Sequence, residues 1–112
     1  MAYKLTVRHG PKVVRESFDD LSGAIAAMNA HAEAIRGEGS LEEVSVLRTL
    51  EPKEMVAGRI EISTGSLFRR GRDAGLDVMG DGHYVPYAGG VGRRELPVDG
   101  DESFAAIEEE LR

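Results

Sequence analysis

The chain has 112 residues, 41% of them hydrophobic and 30% charged, which is the composition of one globular domain rather than of a disordered chain. It holds no cysteine, so disulfides, thiolate nucleophiles and cysteine–zinc sites are excluded. A net charge of −6 argues against a generic polyanion binder, and no apolar run approaches the roughly 18 residues of a membrane span. The first ten residues, MAYKLTVRHG, lack the apolar core of a signal peptide, so a cytoplasmic protein is expected.

In chain order, residues 3–8 alternate and place Tyr3, Leu5 and Val7 on one face of a strand. His9-Gly10-Pro11-Lys12 is turn material, and residues 13–18 read as the returning arm of a β-hairpin. Asp19 or Asp20 then offers a carboxylate to the free N–H groups of a helix start. Leu21, Ala24, Ile25, Met28, Ala32 and Ile35 follow at helical spacing, with Gly37 as a left-handed stop, predicting a helix over 20–36.

Val44, Val46 and Leu50 suggest a blurred strand. After Glu51-Pro52-Lys53, the residues Val56, Gly58, Ile60 and Ile62 define the inward face of a longer one. Residues 65–75 show no period and read as a mobile loop or frayed strand. Asp81-Gly82 is a type I′ hairpin signal joining 76–80 to 83–88, and Pro86 marks that second arm as an edge. A short run at 93–96 ends at Pro97. Asp99 or Asp101 then caps a last helix facing inward with Phe104, Ile107 and Leu111. The order is ββαββββα in a single α+β domain over 1–112: an antiparallel sheet of five to six strands with both helices on one face.

The hairpin-plus-helix opening, Tyr3–Val7, a Gly-Pro turn, then Val13-Val14-Arg15-Glu16-Ser17-Phe18-Asp19 running into an alanine-rich helix, resembles the arm-type DNA-binding domains of phage integrases. The resemblance covers 1–36 and implies a sheet that enters the major groove, with Lys4, Arg8, Lys12 and Arg15 at the matching basic positions. That family has a third strand before the helix, where this chain has room for two. In overall flavour, eleven arginines among fourteen basic residues with abundant alanine and glycine, the chain also resembles small uncharacterised bacterial proteins of high-GC actinobacteria.

Charge is unevenly laid out. Residues 1–18 carry +3 and 67–94 carry +2, whereas 19–43 carry −5 and 95–112 carry −6. Base therefore concentrates on strand-like segments and acid on the helices and their flanks. Arg8, Arg15, Arg69, Arg70, Arg72, Arg93 and Arg94 are the candidate anion or nucleic-acid contacts, because guanidinium offers a planar donor fork to phosphate. Gly89-Gly90-Val91-Gly92 is either an anion nest or a strand bulge. His83 has Asp77, Asp81 and Tyr84 nearby, but metal ligand spacing is absent, and Ser63, Thr64 and Ser66 lack a nucleophile elbow. No catalytic residue, metal or cofactor is therefore assigned. Glu108, Glu109 and Glu110 oppose the dipole at a helix C-terminus and call for arginines such as Arg69, Arg93 or Arg94. The expected function is a non-catalytic binding or assembly module whose partner is a second copy of itself. The alternative is nucleic-acid binding through an arginine-bearing sheet, and an enzyme built on His83 ranks last.

Overall fold

Tyr3–His9 forms strand β1 and Lys12–Phe18 forms β2, joined by a two-residue turn in which Gly10 adopts φ +60. The hairpin register runs without interruption from His9↔Lys12 to Tyr3↔Phe18. The computed structural model describes residues 3–37, 55–64, 72–89 and 93–112. The expected strand at 44–50, the unpatterned stretch 65–71 and the glycines at 90 and 92 lie outside them.

Helix α1 spans Leu21–Gly37. Asp20 caps it: its Oδ1 accepts the Gly23 N–H at 2.6 Å, while its carbonyl accepts the Ala24 N–H. Ala24, Met28, Ala32 and Ile35 are buried along one stripe, as the period requires. Gly37 is the last helical residue and not a left-handed stop, because its φ is not positive.

Strands β3 (Val56–Ser63), β4 (Asp73–Met79), β5 (Tyr84–Ala88) and β6 (Arg94–Glu95) complete an antiparallel six-stranded sheet in the order β2-β1-β3-β4-β5-β6. Helix α2 (Glu102–Leu111) closes the chain. Alternation then sorts the side chains. Leu5, Val7, Ile60, Ile62, Ala74, Leu76, Val78, Tyr84 and Ala88 point to one face and form the core with the stripes of both helices. Helix α1 lies over β1 and β3, α2 over β4 and β5, and the helices touch each other. Tyr84 sits at their junction, edge-on to Phe104 with ring centroids 5.6 Å apart and with the Arg36 guanidinium 4.2 Å above its ring. The ββαββββα order and the one-sided helical layer agree with the pattern in the sequence.

Local details differ for physical reasons. Strand β4 begins at Asp73, three residues before the apolar period becomes visible, because Asp73, Ala74 and Gly75 are held by pairing with β3. The β4–β5 loop is not a two-residue type I′ turn. The Met79 N–H bonds the His83 carbonyl and the Gly82 N–H bonds Met79, so three residues fill the loop, with Gly82 at φ +92. Pro86 is not on an edge. Its carbonyl accepts the Leu96 N–H, so the missing donor faces the side where β6 contributes only two residues. Val56 is 45% exposed rather than inward, since the register with β4 shifts between Val56 and Gly58. Asp101, which flanks the start of α2, makes no side-chain cap bond, and a backbone bond from the Ser103 N–H to the Gly100 carbonyl closes that end.

Candidate functional site

The side of the sheet opposite the helices is an ordered grid. Register places Ser17, Lys4, Ser63 and Asp73 in one row across β2, β1, β3 and β4. The next row is Arg15, Thr6, Glu61, Gly75, Tyr87 and Glu95, and a third is Val13, Arg8, Arg59, Asp77 and Val85. The face has two unlike halves.

Over β3–β6 two arginines, two carboxylates and a tyrosine are drawn into one cluster. Asp77 is only 2% exposed and receives two arginines. Arg59 donates through Nε at 2.7 Å and Nη2 at 3.3 Å, and Arg93 donates through Nη2 at 2.6 Å. The hydrogen bond to Asp77 raises the Arg59 pKa further above its ordinary value, outweighing partial burial. Tyr87 lies flat across Gly75, where a Cβ would come within 2.4 Å of the tyrosine oxygen. From there its hydroxyl donates to Glu61 Oε2 at 2.9 Å, and Arg93 stacks 4.0 Å from its ring centre. Burial, then the neighbouring Glu61 charge, pushes the Tyr87 phenol far above its usual range, so it stays a donor. Arg59, Arg93, Asp77, Glu61 and Tyr87 linked in this way make a structural clasp.

Over β1 and β2 the face is basic and unbalanced. Lys4, Arg8 and Arg15 are exposed, and no described side chain pairs with them. Lys4, Leu5, Thr6, Arg15, Glu16, Ser17 and Ser63 line an open depression of about 340 Å³, in which two cationic and three hydroxyl residues stand beside one acidic residue. Cationic groups and hydroxyls are the donors that hold phosphate oxygens.

The other predicted arginines do not join this half. Arg93 is spent on Asp77. Arg94 turns to the helical side and pairs with Glu110 at 2.7 Å, and Arg72 donates to the carbonyls of Glu110 and Arg112. These last two answer the acidic C-terminus of α2, where cations offset the helix dipole. Arg69 and Arg70 lie outside the described residues. Of the five described arginines among the seven, only Arg8 and Arg15 sit together and unpaired; Arg72, Arg93 and Arg94 are engaged elsewhere.

His83 and His31 are each engaged by a carboxylate. His83 pairs with Asp81 through both its backbone N–H, at 3.0 Å, and its ring, and the backbone bond is the main reason the Asp81 pKa is lowered. His31 Nε2 reaches Glu16 at 2.8 Å, tying α1 to β2. No group of three potential metal ligands converges among the described residues, and no helix there is long and apolar enough to cross a membrane.

Sequence reasoning missed the Asp77 clasp. An aspartate alternating with buried Leu76 and Val78 was the one available signal, but its partners are 16 and 18 residues away. It also missed the edge, where all of β2 except Phe18 is exposed, including Val13 at 43% and Val14 at 41%. Comparison with protein-family profiles, with curated proteins and with solved structures returns no match.

Proposed function

We propose that this chain is a non-catalytic assembly module that associates with copies of itself through β2. The observation carrying the reading is the edge itself. Seven residues of strand lie along the border of the sheet with two valines exposed, and among the described residues neither helix nor proline covers them. An edge of this length presents unpaired backbone donors and acceptors and is a template for another strand. The opposite border contrasts with it: β6 has two residues, is followed by Pro97, and is anchored to α2 through Arg94 and Glu110. Sedimentation of the full chain over a wide concentration range tests the reading. A reversible dimer or larger species is expected, with Val14→Lys shifting it to monomer. A monomer at every concentration overturns it.

A second reading has its own observation, the unpaired Lys4 and Arg15 at the depression shared with Thr6, Ser17 and Ser63, with unpaired Arg8 on the same face of β1. It assigns that half of the sheet to nucleic-acid phosphates, in keeping with the integrase-like hairpin. Binding to duplex DNA should weaken with salt at a log–log slope of about −0.9 per phosphate neutralised, so near −3 for three cations. Arg8→Glu/Arg15→Glu should abolish it. Absence of any complex at low salt removes this reading.

A further inference from the structure

We infer that the second copy pairs with β2 antiparallel and in one register, centred on Val14, so that Val14 faces its own symmetry mate. This rests on the assembly reading and adds the geometry of the contact. The turn closes on His9 and Lys12, and bonded pairs in an antiparallel hairpin recur at every second residue. Val14 and Glu16 therefore spend their backbone groups on β1, whereas Val13, Arg15 and Ser17 turn theirs outward. A two-fold axis normal to the sheet keeps like faces together, so a residue can pair only with a partner of the same parity.

That leaves few registers, and charge separates them. Centring on Arg15 sets two guanidiniums directly opposite, and centring on Glu16 does the same for two carboxylates. Centring on Val13 shortens the overlap of strand residues to Lys12, Val13 and Val14. Centring on Val14 places Lys12 opposite Glu16 twice and Val13 opposite Arg15 twice, and lets the outward groups of Val13 and Arg15 bond on both sides of the axis. Both exposed valines of β2 gain cover, Val14 against its mate and Val13 beneath an arginine stem. The basic halves also meet across the axis, joining Lys4, Arg8 and Arg15 of each copy on one continuous face.

Charge exchange tests the register. Lys12→Glu or Glu16→Lys alone sets like charges opposite twice, and the dissociation constant measured by sedimentation should rise about tenfold or more. The double exchange Lys12→Glu/Glu16→Lys restores opposite charges and should return it to near the parent value, with far-UV circular dichroism showing all variants folded. Unchanged association of the single variants, while Val14→Lys is monomeric, overturns the register and spares the assembly reading. A folded double variant that fails to recover also overturns it. A parent chain monomeric at all concentrations removes both.

Discussion

Replacing Asp77 by alanine removes the carboxylate on which two arginines converge, and the structure sets the size of the effect. Three charge-assisted hydrogen bonds disappear, from Arg59 Nε, Arg59 Nη2 and Arg93 Nη2. Breaking a fully buried pair by deleting one partner costs about 3–5 kcal/mol, because the other charge is stranded. Here the carboxylate is buried but the arginine side chains are 42% and 32% exposed, so the freed guanidiniums regain water. The expected loss is therefore about 2–3 kcal/mol. At about 2.1 cal/mol/K per residue, that lowers the melting temperature by about 9–13 °C. Urea unfolding followed by circular dichroism should show a lower midpoint with an unchanged slope. Arg93→Ala, which leaves the Arg59–Asp77 pair intact, should cost less. If Asp77→Ala unfolds within about 0.5 kcal/mol of the parent, a typical surface effect, the clasp does not organise the open face.

Gly75→Ala tests the same clasp by steric means. Its Cβ would meet Tyr87 Oη at 2.4 Å and the Ile60 carbonyl at 2.8 Å, so the ring must leave and stability should fall by about 1–3 kcal/mol. Loss of protection of Tyr87 in an ultraviolet titration would show that displacement directly. In the parent, Tyr84 and Tyr87 should both ionise above the usual phenol range, Tyr87 last. The folded state holds these protons more tightly than the unfolded chain, so the associated stability is complete below a pH of about 10 and lost as pH rises beyond it. Tyr87→Phe should remove the latest step and flatten the alkaline loss; an unaltered profile contradicts the assignment.

Elements set by neighbours in the chain were legible without coordinates. The Gly10-Pro11 turn, the alternation of Leu5 and Val7, the Asp20 cap and the α1 stripe each arise within a few residues, and together they fix the first third of the fold. Phe104, Ile107 and Leu111 declared α2 in the same way, although its expected aspartate cap is not made. Features set by register across strands were not legible. Asp73 and Gly75 are strand residues because β3 pairs with them, and Gly75 is glycine because Tyr87 crosses it from the next strand. Arg93 and Arg94 are adjacent in sequence, yet alternation sends one to Asp77 and the other to Glu110. A run of arginines therefore could not announce which of its members stays free. The basic patch that remains, Lys4, Arg8 and Arg15, was readable only as a list until pairing placed all three on one face.

Assembly through β2 is directly measurable because the chain contains no cysteine. In antiparallel strands a non-bonded pair has Cα atoms about 4.5 Å apart, within reach of a disulfide. Under mild oxidation the full-length Val14→Cys protein should cross-link to itself rapidly. Val13→Cys and Arg15→Cys should each link slowly alone, and link to one another when mixed. Equal rates for all three, or no cross-link at position 14 in folded protein, would contradict symmetric pairing through this strand.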